Sequence, residues 1–356
     1  MKQRPFGNTG ISVSELALGT SPLGGGIFYR DDREALAVLQ AAHDAGINYF
    51  DTGESYGNGL HEELLGQAFG TCRDRVVIAS KGGIRMTALG KFLLKIRPLM
   101  APAKGLLQRH RRAIGIFRDR HKRYTFRPED VRTSLEGTLR RLKSDYVDVY
   151  QYYNASESLF ARDDAFDVME RFKAEGKIRF GGATVVKIDT AFAGLRHQAM
   201  DCIQVPVNFL EQVAVQRFLP LAMESGVAVI GRSPLASGFL TDTTGHIKAT
   251  ESSHISAQQI AARRAQAEEA RALVGNGRSV AEFALRYALQ VAGVSTVLFS
   301  VVNREQLAAD LKALDGAPLS QDEIRAAERI APLPPAADAT PAEAAPGPAG
   351  NTGRQT

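Results

Sequence analysis

Eight short apolar runs recur along this chain, separated by stretches whose apolar residues fall at helical spacing. The runs are Leu16–Gly19, Ile47–Phe50, Val76–Ser80, Val147–Tyr150, Arg179–Gly182, Cys202–Val205, Val227–Gly231 and Thr296–Phe299. None shows strict apolar–polar alternation, so each suits a strand buried on both faces, and hence a parallel one. Between them, Pro128–Leu142 carries Val131, Leu135, Leu139 and Leu142 on one stripe, with Pro128 placed to open the helix. Glu34–Ala45, Ala165–Ala174, Val215–Ser225, Val280–Leu289 and Glu305–Leu314 read the same way. Gly46, Gly176 and Gly226 each follow a helical stretch and precede a run, where a left-handed C-terminal cap belongs. The pattern predicts an α/β fold, a (β/α)8 barrel rather than a doubly wound sheet. Arg4–Ser14, with Gly7-Asn8-Thr9-Gly10 at its centre, predicts a β-hairpin ahead of the first barrel strand.

The chain has 356 residues, enough for one such barrel, typically about 250 residues, plus additions. Two additions stand out. Residues 332–356 hold six of the 15 prolines and no aromatic, which predicts a disordered tail after a barrel domain spanning 1–331. Residues 85–127 hold 13 Lys or Arg against one acid, Asp119, although the whole chain carries only +5. The basic pI therefore reflects one cationic insertion on an acidic body, and a nucleic-acid role for the whole chain is excluded. The insertion follows the third run, above the mouth of a barrel. It reads as a lid over an anionic or carrier-tethered substrate, a membrane-surface helix, an acidic-partner site, or a solvated hairpin. No stretch is apolar enough for a membrane span. Two cysteines, Cys72 and Cys202, build no disulfide framework, and the start has no secretory pattern, so a reducing cytoplasm is the expected compartment. Cys202 reads as core and His43 as a packing residue. No histidine has metal-ligand spacing, and no metal site is expected.

Active residues of such barrels sit where strands run out into the following loops. Asp51 and Tyr56 follow the second run, Lys81 the third, and Gln151-Tyr152-Tyr153-Asn154 the fourth. A phenol is a poor acid at neutral pH, with a pKa near ~10. An adjacent ammonium favours phenolate, and a carboxylate holds that ammonium in place. Such a trio can pass a proton to a carbonyl oxygen while hydride reaches its carbon. Singly, Tyr56 could be a rim aromatic, Lys81 a solvated charge and Asp51 a cap; together at adjacent strand ends they point to catalysis.

At these residues the chain resembles the aldo-keto reductases. Phe50-Asp51-Thr52-Gly53-Glu54-Ser55-Tyr56-Gly57 followed by Glu62-Glu63-Leu64-Leu65-Gly66, Asp145-Tyr146-Val147-Asp148-Val149-Tyr150-Gln151, Gly176-Lys177-Ile178-Arg179-Phe180 and Ser233-Pro234-Leu235-Ala236-Ser237-Gly238 all match family motifs. The resemblance covers roughly Lys2–Leu314 outside the insertion. It implies a (β/α)8 barrel and reduction of a small-molecule carbonyl with NADPH, NADH remaining open. It makes Tyr56 the proton donor, Lys81 its activator and Asp51 the lysine's partner. Thr184 and Gln204 would hold the nicotinamide carboxamide, and the loop Ser233, Pro234, Leu235, Ser237, Gly238 the pyrophosphate. Gly19, Thr20, Arg232, Ser300, Arg304, Gln306 and Asp310 complete the implied cofactor set.

The departures are as specific. Tyr153 stands where the family has a histidine that binds the carbonyl oxygen, and a phenol donates one hydrogen bond without a charge. Thr184-Val185 replaces Ser-Asn, Val207 replaces an aromatic, and Arg232 stands where a ring often faces the nicotinamide. Ser300 replaces glycine, and Val302 the arginine expected near a 2′-phosphate. Asp310 would repel that phosphate, with Arg304 nearby to compensate. Two rival readings follow: a non-catalytic or regulatory member resembling potassium-channel β subunits, and redox chemistry on an activated C=C or C=N bond or a redox-neutral epimerisation.

Overall fold

Eight parallel strands hydrogen-bond in a closed ring. In chain order they are β3 (Leu16–Gly19), β4 (Tyr49–Asp51), β5 (Val77–Gly82), β8 (Val147–Tyr152), β9 (Ile178–Thr184), β10 (Cys202–Pro206), β11 (Ala228–Arg232) and β12 (Thr296–Phe299), and β12 pairs with β3 to shut the barrel. This computed structural model describes residues 1–23, 31–87, 122–241, 256–274 and 277–332. The body of the basic insertion and the tail beyond Pro332 therefore lie outside the described residues. The insertion's two ends are described: β6 (Ile84–Met86) and β7 (Lys122–Tyr124) pair antiparallel, so the chain leaves and re-enters the mouth side by side.

Each strand is long in buried side chains because both of its faces are covered. β5 and β8 are buried at every position. One layer of the core lies inside the barrel, where Phe6, Ala17, Tyr49, Ala79, Val149, Cys202, Ile230 and Leu298 pack together. Phe6 comes from the predicted hairpin, β1 (Gln3–Pro5) with β2 (Ser12–Ser14), and its ring centroid sits 5.8 Å from that of Tyr49. The hairpin is thus a plug in the floor of the barrel, opposite the end where the strands run out into loops. Arg4 pins it through Glu15, at 3.1 Å, and the carbonyls of Leu289 and Val294. A second layer packs the strands on the surrounding helices. Gly46, Gly176 and Gly226 adopt φ of 88°, 69° and 67°, the left-handed turn that admits glycine most easily.

Two acids of the sequence motifs serve the scaffold. Asp148 accepts from the Ile78 amide at 3.0 Å and pairs with Arg73 at 2.7 Å and Arg179 at 2.8 Å, tying β5, β8 and β9. Glu62 accepts from Ser80, Thr138 and Arg141 at 2.7, 2.8 and 2.6 Å. It therefore braces the residue next to Lys81. A buried carboxylate survives only with such partners.

One element differs from its expectation. The single helix predicted over Val215–Ser225 opens with a π turn, Ala214–Phe218, before an α segment, Leu219–Glu224. Pro220 has no amide to donate into an α ladder, so the turn before it widens. Among the described residues no helix is long and apolar enough to cross a membrane.

Candidate active site

Strand register places the candidate groups at one end of the barrel. Asp51 ends β4 and pairs across to Ala79 of β5. Lys81, two residues further along β5, lies beside Gln151 of β8. The strand runs on to Gly82, so Lys81 is held by ladder bonds on its own strand rather than in a free loop. Asp51 and Lys81 are 1% and 2% exposed. The lysine Nζ donates to Asp51 Oδ1 and, at 2.8 Å, to the Thr52 carbonyl. Gln204 donates to the other Asp51 oxygen at 3.3 Å. Burial pushes the Asp51 carboxyl up, while Lys81 and Gln204 pull it back.

Tyr56 stands in the loop after β4, partly buried, with the Lys81 ammonium 4.9 Å from its ring centroid. The expected lowering of the phenol pKa does not follow. Burial and the Asp51 charge drive the Tyr56 hydroxyl far above its ordinary range, and the opposing pull comes from Arg232. The largest cause is burial, and the Asp51 charge opposes phenolate at this hydroxyl. Tyr153 follows β8, its amide bonded to the Gly82 carbonyl at 2.9 Å. Burial raises its hydroxyl as well, with Tyr56 adding to the rise and Lys81 and Arg232 opposing it. Both phenols therefore keep their protons at neutral pH. Tyr124, at the insertion's return strand, stacks on Tyr153 at 6.5 Å and 7° and accepts from Asn154 at 3.2 Å. Sequence reasoning did not single out Tyr124; its place beside Tyr153 depends on the β6–β7 pairing.

A profile of the aldo/keto reductase family matches residues 15–332. The chain belongs to the aldo/keto reductase family. It is 31% identical to the NADH-specific methylglyoxal reductase of Escherichia coli over 68% of this chain and 70% of that one. It is 27% identical to a probable voltage-gated potassium channel β subunit of rice, over 91% and 94%. Its fold superposes on a holo aldo-keto reductase of Bacillus halodurans with TM-score 0.72 and 23% identity, covering 94% of this chain and 99% of that one. As a family member it is an oxidoreductase of the aldo/keto reductase type, and the family works with nicotinamide cofactors.

This member's own residues fit such a cofactor. After β11, Ser233, Ala236, Ser237 and Gly238 take φ of 56°, 46°, 58° and 98°. Left-handed backbone at three non-glycine residues in so short a loop is strained, and such strain gathers at ligand clamps that turn amides toward an anion. Asn208 holds the loop by donating to the Ser233 carbonyl at 3.0 Å, and Pro234 and Leu235 lie between. Gly19 lies so close to Ser300 that a Cβ there would meet its hydroxyl at 2.5 Å. Thr20 and Thr52 each bury a hydroxyl, and Gln151 an amide, with no partner among the described residues. Thr184 accepts from the Asn154 amide at 2.8 Å, which leaves its own proton to donate.

At the far end, Asn303 caps the helix Arg304–Asp315 by accepting from Gln306 N, and Gln306 accepts from the Val302 amide at 2.9 Å. Arg304 is not free. Glu34, from the first turn of the helix Asp32–Asp44, takes its amide at 2.9 Å and its guanidinium at 3.2 Å. The sequence reading missed Glu34, which lies 270 residues away and signals only as a first-turn acid. Burial pushes the Asp310 carboxyl up to about 6.

Proposed function

We propose that this protein is a nicotinamide-dependent reductase of a small carbonyl compound, with Tyr56 as the proton donor. The observation that carries the reading is the buried Asp51–Lys81 pair beneath the Tyr56 ring, at the mouth lined by the left-handed Ser233–Gly238 loop. A bound dinucleotide supplies hydride to the carbonyl carbon. The Tyr56 hydroxyl gives its proton to the carbonyl oxygen, and Tyr153 donates a hydrogen bond to the same oxygen. Asp51 holds Lys81 against the ring, so the phenolate left behind faces an ammonium. A phenol whose pKa is raised holds its proton until a stronger base, the developing alkoxide, is next to it. That suits delivery at the moment of hydride arrival rather than a standing phenolate.

The cofactor end supports NADH over NADPH. A 2′-phosphate would have to take Arg304 from Glu34 and would sit on the helix that carries Asp310. Fluorescence titration should show NADH binding about 10-fold tighter than NADPH, the effect of one lost charge contact. Tighter NADPH would overturn the cofactor assignment. Binding of neither would overturn the enzyme reading in favour of a regulatory member, which Tyr153 in place of histidine otherwise favours.

A further inference from the structure

The end of β5 holds two chain segments side by side. The Gly82 carbonyl takes the Tyr153 amide at 2.9 Å, and the Gly83 carbonyl takes the Thr125 amide at 3.0 Å. Tyr153 and Tyr124 are therefore placed by backbone bonds to the two residues that follow Lys81. The return strand β7 is anchored further. Its Tyr124 pairs across to the buried Ile84 of β6. Gly83 turns at φ 85°, and a Cβ there would strike the Phe126 ring, which packs edge-on against Tyr152 with centroids 5.4 Å apart. Asp130, in the first turn of the helix Pro128–Leu142, accepts from the Thr125 hydroxyl at 2.5 Å and from Arg127 at 3.1 Å, and pairs with Arg85 of β6 at 2.6 Å. On this base the Tyr124 ring lies parallel to that of Tyr153, and its hydroxyl accepts from Asn154. Yet 50% of Tyr124 stays open to solvent, and among the described residues no other aromatic side chain is so exposed. A lone exposed aromatic is ordinary on a protein surface. This one is fixed by ladder, stack and hydrogen bond next to a candidate catalytic phenol, so it has already lost the freedom that binding would otherwise cost. Tyr153 and Asn154, the two groups it touches, are uncharged. The Arg232 guanidinium lies elsewhere: β11 is four strands round the barrel from β5, and there Arg232 bridges the Val185 carbonyl at 2.9 Å and the Ser233 hydroxyl at 3.2 Å. Tyr124 thus offers a flat, rigid, uncharged face, and such faces pair best with other rings.

We propose that Tyr124, brought to the mouth by the insertion's return strand, is a specificity-determining residue that favours a neutral substrate whose carbonyl is attached to a flat ring. This rests on the reductase reading above. With the carbonyl oxygen at Tyr153, the attached ring lies against the open part of Tyr124. Hydride still bonds to the carbonyl carbon and the Tyr56 proton to its oxygen; Tyr124 acts through substrate binding alone.

Benzaldehyde and cyclohexanecarbaldehyde, which share a carbon count and differ in flatness, test this at saturating NADH. Tyr124→Ala should lower kcat/KM for benzaldehyde about 10-fold, the worth of one aromatic pair, and for cyclohexanecarbaldehyde at most about 3-fold. Tyr124→Phe keeps the ring and should keep the wild-type ratio of the two within about 2-fold. Equal losses on both aldehydes in Tyr124→Ala would overturn the proposal, since Tyr124 would then serve only to prop Tyr153. No loss on either would overturn it as well. The unreactive amides of the same two rings, benzamide and cyclohexanecarboxamide, read the preference without turnover, through dissociation constants from saturation-transfer NMR. Wild type should bind benzamide about 10-fold more tightly than cyclohexanecarboxamide, and Tyr124→Ala should lose that preference. If wild type reduces neither aldehyde, the reductase reading fails separately, and the amides still decide: a preference that depends on Tyr124 upholds the recognition role, and equal binding of the two amides overturns it.

Discussion

Two charge pairs, Asp51–Lys81 and Glu34–Arg304, are handled in opposite ways. At the carbonyl end, Asp51 and Lys81 are buried and bonded on strands of the barrel, and Gln204 and Thr52 take up further hydrogen-bonding capacity. On the surface, Arg304 and Glu34 meet at two helix N-termini at 2.9 to 3.3 Å, with side chains 61% and 26% exposed. Buried charges of the first kind are fixed in position and costly to disturb, while exposed pairs of the second kind are worth little. On the function proposed above, chemistry is set where charge is locked, and cofactor choice where charge can be renegotiated.

Breaking the locked end should have the larger effects. Lys81→Met should cut kcat about 1,000-fold with dinucleotide binding retained. It should also lower Tm more at pH 8 than at pH 5. Without the ammonium, the buried Asp51 carboxyl rises further above its unfolded value, so the folded state is favoured with the proton on and loses stability as pH climbs. Tyr153→Phe keeps the ring that stacks on Tyr124 but removes the hydroxyl. Its kcat should fall about 100-fold, as for loss of one donor to a developing oxyanion, with Tm unchanged.

Changes at the exposed end should be gentler. Glu34→Ala frees Arg304 and should shift the NADPH-to-NADH affinity ratio about 10-fold toward NADPH, with kcat for a saturated cofactor unaltered. Asp310→Asn should be smaller still, and visible only in stability. Its folded value of about 6 lies above the ordinary 3.8, so the native carboxyl holds its proton more tightly than the unfolded one. That contribution is present at low pH and is lost as pH rises from about 4 through about 6. The Asn variant should match wild type in Tm at pH 4 and exceed it at pH 7.

The same contrast governs what could be read from the chain alone. The barrel was legible because parallel strands buried on both faces leave continuous apolar runs, and because Gly46, Gly176 and Gly226 mark where helices turn back. Asp51, Tyr56 and Lys81 were legible because strand ends bring them to one mouth. The acidity of Tyr56 was not, since it depends on burial and on the Asp51 charge, which spacing does not encode. Nor was the Glu34–Arg304 pair, whose members meet only after the barrel has closed. The π turn at Ala214–Phe218 had a signal, Pro220, which the helical period concealed.

The central claim is that the Tyr56 hydroxyl supplies the proton. Stopped-flow measurement of NADH oxidation by a small carbonyl compound, comparing wild type with Tyr56→Phe at equal cofactor saturation, tests it most directly. The account predicts a loss of about 1,000-fold or more in the hydride-transfer rate with NADH affinity and Tm preserved. A Tyr56→Phe enzyme that transfers hydride at the wild-type rate would contradict it.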